Sequence, residues 1–125
     1  MPKILVVEDS NFMSAVYRSR LEETGYELEF TTDVAKALDK LKTSIPDVVI
    51  LDILLPAENG YKLLQEMRGN ERLKNIPVLV VTTLSKDEGY AQAMESGASE
   101  YLVKSEMSTN DLLDKIRALL KKNPK

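Results

Sequence analysis

The sequence predicts an α/β fold: a doubly wound, five-stranded parallel sheet with five helices on its two faces. Three observations predict it. Apolar runs recur at a steady interval, as Ile4-Leu5-Val6-Val7, Val48-Val49-Ile50-Leu51 and Val78-Leu79-Val80-Val81. Each run is continuous rather than alternating, which is how a strand buried on both faces reads. Between the runs the apolar period becomes helical. Strands alternating with helices at this pitch imply a parallel sheet with right-handed crossovers.

The elements are taken in chain order. The first strand is Ile4 to Val7. Residues 10–24 read as a helix through Met13, Val16, Tyr17 and Leu21, with Gly25 as its stop. Tyr26 to Thr31 alternates apolar and polar residues, so this strand is the more exposed one. Val34, Leu38 and Leu41 share one face of a second helix, and Val48 to Leu51 is the third strand. Gly60, Leu63, Leu64 and Met67 lie on one face of a third helix. After the strand at Val78 to Val81, residues 86–96 read as a fourth helix ending near Gly97. Tyr101-Leu102-Val103 is a short fifth strand. Leu112, Leu113, Ile116, Leu119 and Leu120 form the clearest helical stripe, with Ser108 or Thr109 as its N-cap.

Composition bounds the function. The 125 residues fit one domain, taken as 1–125, and 43% hydrophobic residues suffice for a core. The chain has no cysteine, which excludes disulfides, thiolate metal sites and cysteine nucleophiles. It has no histidine either, which removes the commonest general base and means the chain cannot itself be a histidine phosphodonor. The net charge is −3, and Lys121-Lys122 is the one basic run that stands out. That argues against nucleic acid as a direct partner. No apolar stretch reaches membrane-span length, so no membrane partner is expected. Met1-Pro2-Lys3 leads straight into a strand without a signal-peptide pattern, and the cytoplasm is the expected location.

In open α/β sheets, ligands bind at the carboxyl ends of the strands. Glu8-Asp9 follow the first apolar run, Asp52 the third, Thr82-Thr83 the fourth and Lys104 the fifth. Three carboxylates, a hydroxyl and an ammonium thus converge on one edge. Crowded carboxylates raise one another's pKa, and a hard divalent cation such as Mg²⁺ or Mn²⁺ relieves the repulsion. Lys104 then suits an anion arriving at the metal, and Thr82 donates a hydroxyl to it. The set reads as a phosphoryl-transfer site with a carboxylate nucleophile. Singly, each residue has a plainer role: Asp9 or Ser10 as a helix cap, Asp52 in a turn, Thr82 as a strand end, Lys104 on the surface. Their joint placement favours the site.

With these residues in view, the whole chain closely resembles the receiver domains of two-component response regulators, nearest the chemotaxis-type single-domain members. The carriers are Ile4 to Asp9, Pro46 to Asp52, Leu55-Pro56 with Asn59-Gly60, Ile76-Pro77-Val78 leading to Thr82, Gly97-Ala98, and Tyr101 to Lys104. The resemblance implies a flavodoxin-like βα repeat and a phosphorylation-controlled switch. In it Asp52 is the phosphoacceptor, and Glu8, Asp9, Asp52 and the backbone carbonyl of Leu54 hold Mg²⁺. Thr82 and Tyr101 are the switch pair, and Lys104 meets a phosphoryl oxygen. A histidine kinase or small phosphodonor supplies the phosphoryl group. A protein target docks on the fourth helix, fifth strand and fifth helix, with the chain a monomer or weak dimer. Such a domain is not an enzyme beyond promoting its own phosphorylation and dephosphorylation. An aspartate-nucleophile phosphatase is the alternative, but Asp52-Ile53-Leu54 lacks the second acid such enzymes carry.

The sequence departs from the family in places. Glu8 replaces the commoner Asp, and Thr83 is bulkier than usual. Leu54 and Leu84 are apolar where polar residues tune phosphoryl lifetime, so a long-lived phosphoryl-Asp52 is expected. Ser105 replaces the proline that follows the lysine through a cis bond. A cis bond before serine costs about 3–4 kcal/mol, so a trans Lys104–Ser105 bond is expected.

Overall fold

The structure, a computed structural model, describes residues 1–122. The expected domain span of 1–125 includes residues 123–125, which lie outside the described part. The strands are β1 (Lys3–Val7), β2 (Glu27–Thr31), β3 (Val48–Leu51), β4 (Val78–Thr82) and β5 (Glu100–Val103). The helices are α1 (Asn11–Leu21), α2 (Val34–Leu41), α3 (Gly60–Arg68), α4 (Lys86–Ser96) and α5 (Thr109–Lys122). All strands run parallel in the order β2-β1-β3-β4-β5. The expected doubly wound fold is present.

Strand periodicity divides the core into two. Leu5, Val7, Val49, Leu51, Val78, Val80, Tyr101 and Val103 point to the side covered by α2, α3 and α4. Ile4, Val6, Val48, Ile50, Leu79 and Val81 point to the side covered by α1 and α5. The central strands β1, β3 and β4 are therefore apolar on both faces, and this explains their continuous runs. Burying each such side chain contributes about 1.5–3 kcal/mol. By the same alternation, Thr82 and Tyr101 share the α4 side of the sheet.

Several boundaries differ from the sequence reading: β1 begins at Lys3, β4 ends at Thr82 and β5 begins at Glu100, each one residue beyond the apolar run. α1 ends at Leu21, and Glu22–Thr24 form a 3₁₀ turn. The Thr24 hydroxyl donates to the Leu21 carbonyl at 2.6 Å and accepts from the Tyr26 amide at 3.1 Å. β2 begins at Glu27, whose amide donates to the Pro2 carbonyl at 2.9 Å. β2 lies at the sheet edge and is only partly covered, as its alternation implied.

The caps agree with the sequence. Ser10 accepts from the Met13 amide at 3.2 Å and caps α1. Ser108, not Thr109, caps α5: its hydroxyl accepts from the Asp111 amide while Asp111 Oδ2 accepts from the Ser108 amide, both at 3.0 Å. Among the described residues no peptide bond is cis, so Lys104–Ser105 is trans, as expected.

One backbone position is strained. Ala57, in the loop after β3, has φ +68. A β-carbon in this region costs roughly 1–2 kcal/mol, and glycine removes that cost at some expense in unfolded-chain entropy. Ala57→Gly is expected to stabilise the fold by about 0.5–1 kcal/mol in urea denaturation. An unchanged or lower midpoint would show that surrounding contacts already offset the strain.

Candidate functional site

The sheet order reverses between β1 and β3, and this switch point is where open α/β sheets bind ligands. Glu8 and Asp9 leave the end of β1, and Asp52 leaves the end of β3. One ligand oxygen from each of Glu8, Asp9 and Asp52 lies within 4.8 Å of the others. Glu8 is 2% exposed and Asp52 5%, whereas Asp9 is exposed. Capping of α1 by Ser10 leaves the Asp9 carboxylate outside that role.

Lys104, the residue just past β5, completes the cluster. Its Nζ lies 2.7 Å from Asp52 Oδ2 and 2.7 Å from Glu8 Oε1. The side chain is 12% exposed, which excludes the plain surface role. Asp52 Oδ1 accepts from the Leu54 amide at 3.1 Å, and Glu8 Oε2 accepts from the Ser10 amide at 3.0 Å. Both buried carboxylates are therefore held in fixed orientations. Burial raises the Glu8 pKa against the lowering effects of Lys104 and the Ser10 amide. Burial alone would lower the Lys104 pKa, but the bonds and charges of Asp52 and Glu8 outweigh it, and the net direction is upward. Lys104 is thus held as an ammonium.

The donor set fits a hard divalent cation. Three carboxylates face one ammonium, leaving two negative charges in excess when all are ionised. Glu8 Oε1 is buried without a well-aligned hydrogen bond, so it retains acceptor capacity beside Lys104. All side-chain donors in the cluster are oxygens, and one carboxylate is open to solvent, which suits an ion that keeps several waters.

Thr82 ends β4 and is fully buried. Its hydroxyl oxygen accepts only a long bond, 3.5 Å, from the Leu84 amide. Tyr101 is 3% exposed and turned inward, with its hydroxyl donating to the Leu84 carbonyl at 3.0 Å. A plain aromatic on the sheet surface is excluded. Leu54 is half exposed beside Asp52, and Leu84 is partly buried against the core, 3.3 Å from where a β-carbon on Gly89 would stand.

Sequence reasoning missed the direct Glu8–Lys104 pair and the close approach of Gly89 to Tyr101 and Leu84. A glycine inside the helical window 86–96, away from either cap, was the available signal.

A doubly wound sheet with a carboxylate–ammonium centre at its switch point defines a class of α/β domains with a polar ligand site at the strand ends. Comparison with known proteins narrows it. The response regulator receiver domain description matches residues 4–117. The DNA-binding dual master transcriptional regulator RpaA of Synechocystis sp. is 34% identical over 122 residues, 98% of this chain and 50% of that protein. The chain spans about half the length of the curated relatives it matches. The chemotaxis protein CheY4 of Vibrio cholerae superposes with a TM-score of 0.87 at 30% identity, covering 96% of this chain and 99% of that one. The Mn²⁺-bound form of response regulator Rcp1 gives 0.81 at 28% identity, covering 97% and 93%. The chain belongs to the response-regulator receiver family, and it is a phosphorylation-controlled signalling switch. The phosphatase alternative gains no support. Among the described residues, no helix is long and apolar enough to cross a membrane.

Proposed function

We propose that Asp52 accepts the phosphoryl group, with a histidine kinase or a small acyl phosphate as donor. A carboxylate oxygen of Asp52 attacks phosphorus, the bond to the donor's leaving group breaks with its electron pair on that group, and an acyl phosphate remains. The observation that carries this reading is the Lys104 ammonium 2.7 Å from both Asp52 and Glu8, within an all-oxygen cluster at the switch point. Glu8, Asp9, Asp52 and the Leu54 carbonyl would hold Mg²⁺, which supplies charge neutralisation and orients the transferring oxygens. Lys104 then meets one phosphoryl oxygen and the Thr82 hydroxyl another. Drawing Thr82 toward that oxygen opens room on the α4 side of the sheet, which favours the inward position that Tyr101 already occupies here.

The output face is α4, β5 and α5. Tyr101 lies under α4, and Lys115 pairs with Glu100 at 3.1 Å to tie α5 to β5. A protein target fits this face better than nucleic acid does, given the net charge of −3. Cytoplasmic location, and a monomer or weak dimer, complete the proposal. The chain promotes its own phosphorylation and dephosphorylation and no other reaction.

The metal part is tested by NMR titration with Mg²⁺. Native protein should show saturable shifts at residues 8–10 and 52–54. Asp9→Asn should bind at least tenfold more weakly, about 1.4 kcal/mol. Equal affinity in the two proteins would remove Asp9 from the site.

Phosphoryl lifetime depends on Leu54. This apolar side chain beside Asp52 offers no group to orient the hydrolytic water. Leu54→Asn should shorten the lifetime by about tenfold, short of what a fully positioned base contributes. Decay of the trapped acyl phosphate measures it, and an unchanged or longer lifetime would reject the shielding role.

A further inference from the structure

Gly89 sits inside α4, three residues beyond Lys86 and seven before the helix ends at Ser96. Glycine within a helix is less favourable than alanine, so its presence asks for a reason. Its backbone is ordinary, since the left-handed glycines are Gly25 and Gly97. Conformation therefore does not require glycine here. Space does. A β-carbon at Gly89 would overlap the Tyr101 hydroxyl oxygen and stand 3.3 Å from Leu84 Cβ and Cδ1.

A second tyrosine reaches the same residue from α3. The Tyr61 hydroxyl donates to the Gly89 carbonyl at 3.4 Å, and this ring is 8% exposed. Gly89 thus lies between two phenols. Tyr101 occupies the space a side chain would fill, and Tyr61 holds the carbonyl. Tyr90, the next residue, meets the Tyr101 ring edge-on at 5.7 Å between centroids. The first turn of α4 is held separately, by the reciprocal cap of Ser85 and Glu88. Burial and the nearby Tyr61, Glu88 and Asp52 push the Tyr101 phenol up to about 12, consistent with a hydroxyl enclosed by the protein.

We propose that Gly89 is a steric socket that admits the Tyr101 hydroxyl, with Tyr61 as the positioning residue that holds α4 at the distance this inward ring requires. The pair sets how much of the population carries Tyr101 inward. The proposal rests on Tyr101 as the switch residue only for its signalling consequence, not for the socket itself.

The overlapping atom is the hydroxyl oxygen, so the Tyr101→Phe variant should tolerate a side chain at position 89. This gives a test that a plain helix-propensity effect does not pass. The full chain is labelled with 3-fluorotyrosine, and the Tyr101 ¹⁹F resonance is assigned by its loss in Tyr101→Phe. In native protein it should show little solvent isotope shift. In Gly89→Ala it should move toward the solvent-exposed position and gain that shift. Thermal midpoints then complete a cycle. Gly89→Ala should raise Tm in the Tyr101→Phe background by at least about 3 °C more than in the native background. An equal rise in both backgrounds, or a Tyr101 resonance that stays buried in Gly89→Ala, overturns the socket.

Adding Mg²⁺ with beryllofluoride separates the two readings. If Tyr101 responds to it in native protein and stays exposed in Gly89→Ala, socket and switch both stand. If Gly89→Ala expels the ring but native Tyr101 ignores beryllofluoride, the socket stands and the switch role fails. If Tyr101 is equally buried in both proteins once beryllofluoride is added, the socket is wrong.

Discussion

Asp52→Asn is expected to abolish phosphoryl incorporation while leaving the fold intact. The amide keeps the size of the carboxylate, so the site at the end of β3 does not change shape. It lacks the anionic oxygen that attacks phosphorus, and it cannot form the acyl phosphate. The stability change is expected to be small because two effects oppose. The variant weakens the 2.7 Å bond to Lys104, yet Lys104 keeps Glu8 at 2.7 Å. It also removes one of three crowded carboxylates. Losing a charge-assisted hydrogen bond costs about 1.5–3 kcal/mol, and relief of like-charge repulsion offsets part of that. With a small acyl phosphate and Mg²⁺, native protein should gain one phosphoryl group by intact-mass spectrometry, and the variant none. A variant that still gains one would place the acceptor elsewhere.

The sheet is legible in the sequence because burial on both faces leaves an unambiguous mark. β1, β3 and β4 carry continuous apolar runs, and the polar residues just past each run are those the switch point collects. Glu8, Asp9, Asp52, Thr82 and Lys104 are readable for that reason alone. Tyr101 is not readable from pattern, since an aromatic on a short edge strand faces either way. Its strand parity in the structure, matching Thr82, is what places it under α4.

The remaining differences share one cause. The end of α1 is set by a side-chain bond, Thr24 to the Leu21 carbonyl, which carries no periodic signal. The socket at Gly89 is a relation between α3, α4 and β5, three segments far apart in sequence. Tertiary contacts of this kind leave only a residue out of keeping with its local element, such as a glycine within a helix.

Gly60→Ala is expected to cost more stability than the other substitutions considered for this site. Gly60 opens α3 and donates its amide to the Ile53 carbonyl at 2.8 Å. This bond folds the loop after β3 back on itself. A β-carbon at Gly60 would stand 2.5 Å from the Asp52 carbonyl oxygen, 3.0 Å from Ile53 Cα and 3.2 Å from the Asp52 carbonyl carbon. All three are backbone atoms, so no side chain can rotate away. Either α3 or the end of β3 must move. Overpacking of this kind costs roughly 1–3 kcal/mol, with the upper part of that range expected where only backbone can yield. The displaced segment carries Asp52, whose carboxylate must stay in register with Lys104. A shift approaching 1 Å in a reacting group costs up to about 10²-fold in rate, so phosphorylation by a small donor should slow by at least tenfold. Gly69→Ala supplies the control, because its nearest contact would be an ordinary 3.5 Å to the Gln65 carbonyl. Urea denaturation should separate the two variants clearly, and phosphorylation rates should fall in Gly60→Ala alone. A Gly60→Ala protein as stable and as fast as Gly69→Ala would show that the loop after β3 yields without cost, and that close packing there does not position Asp52.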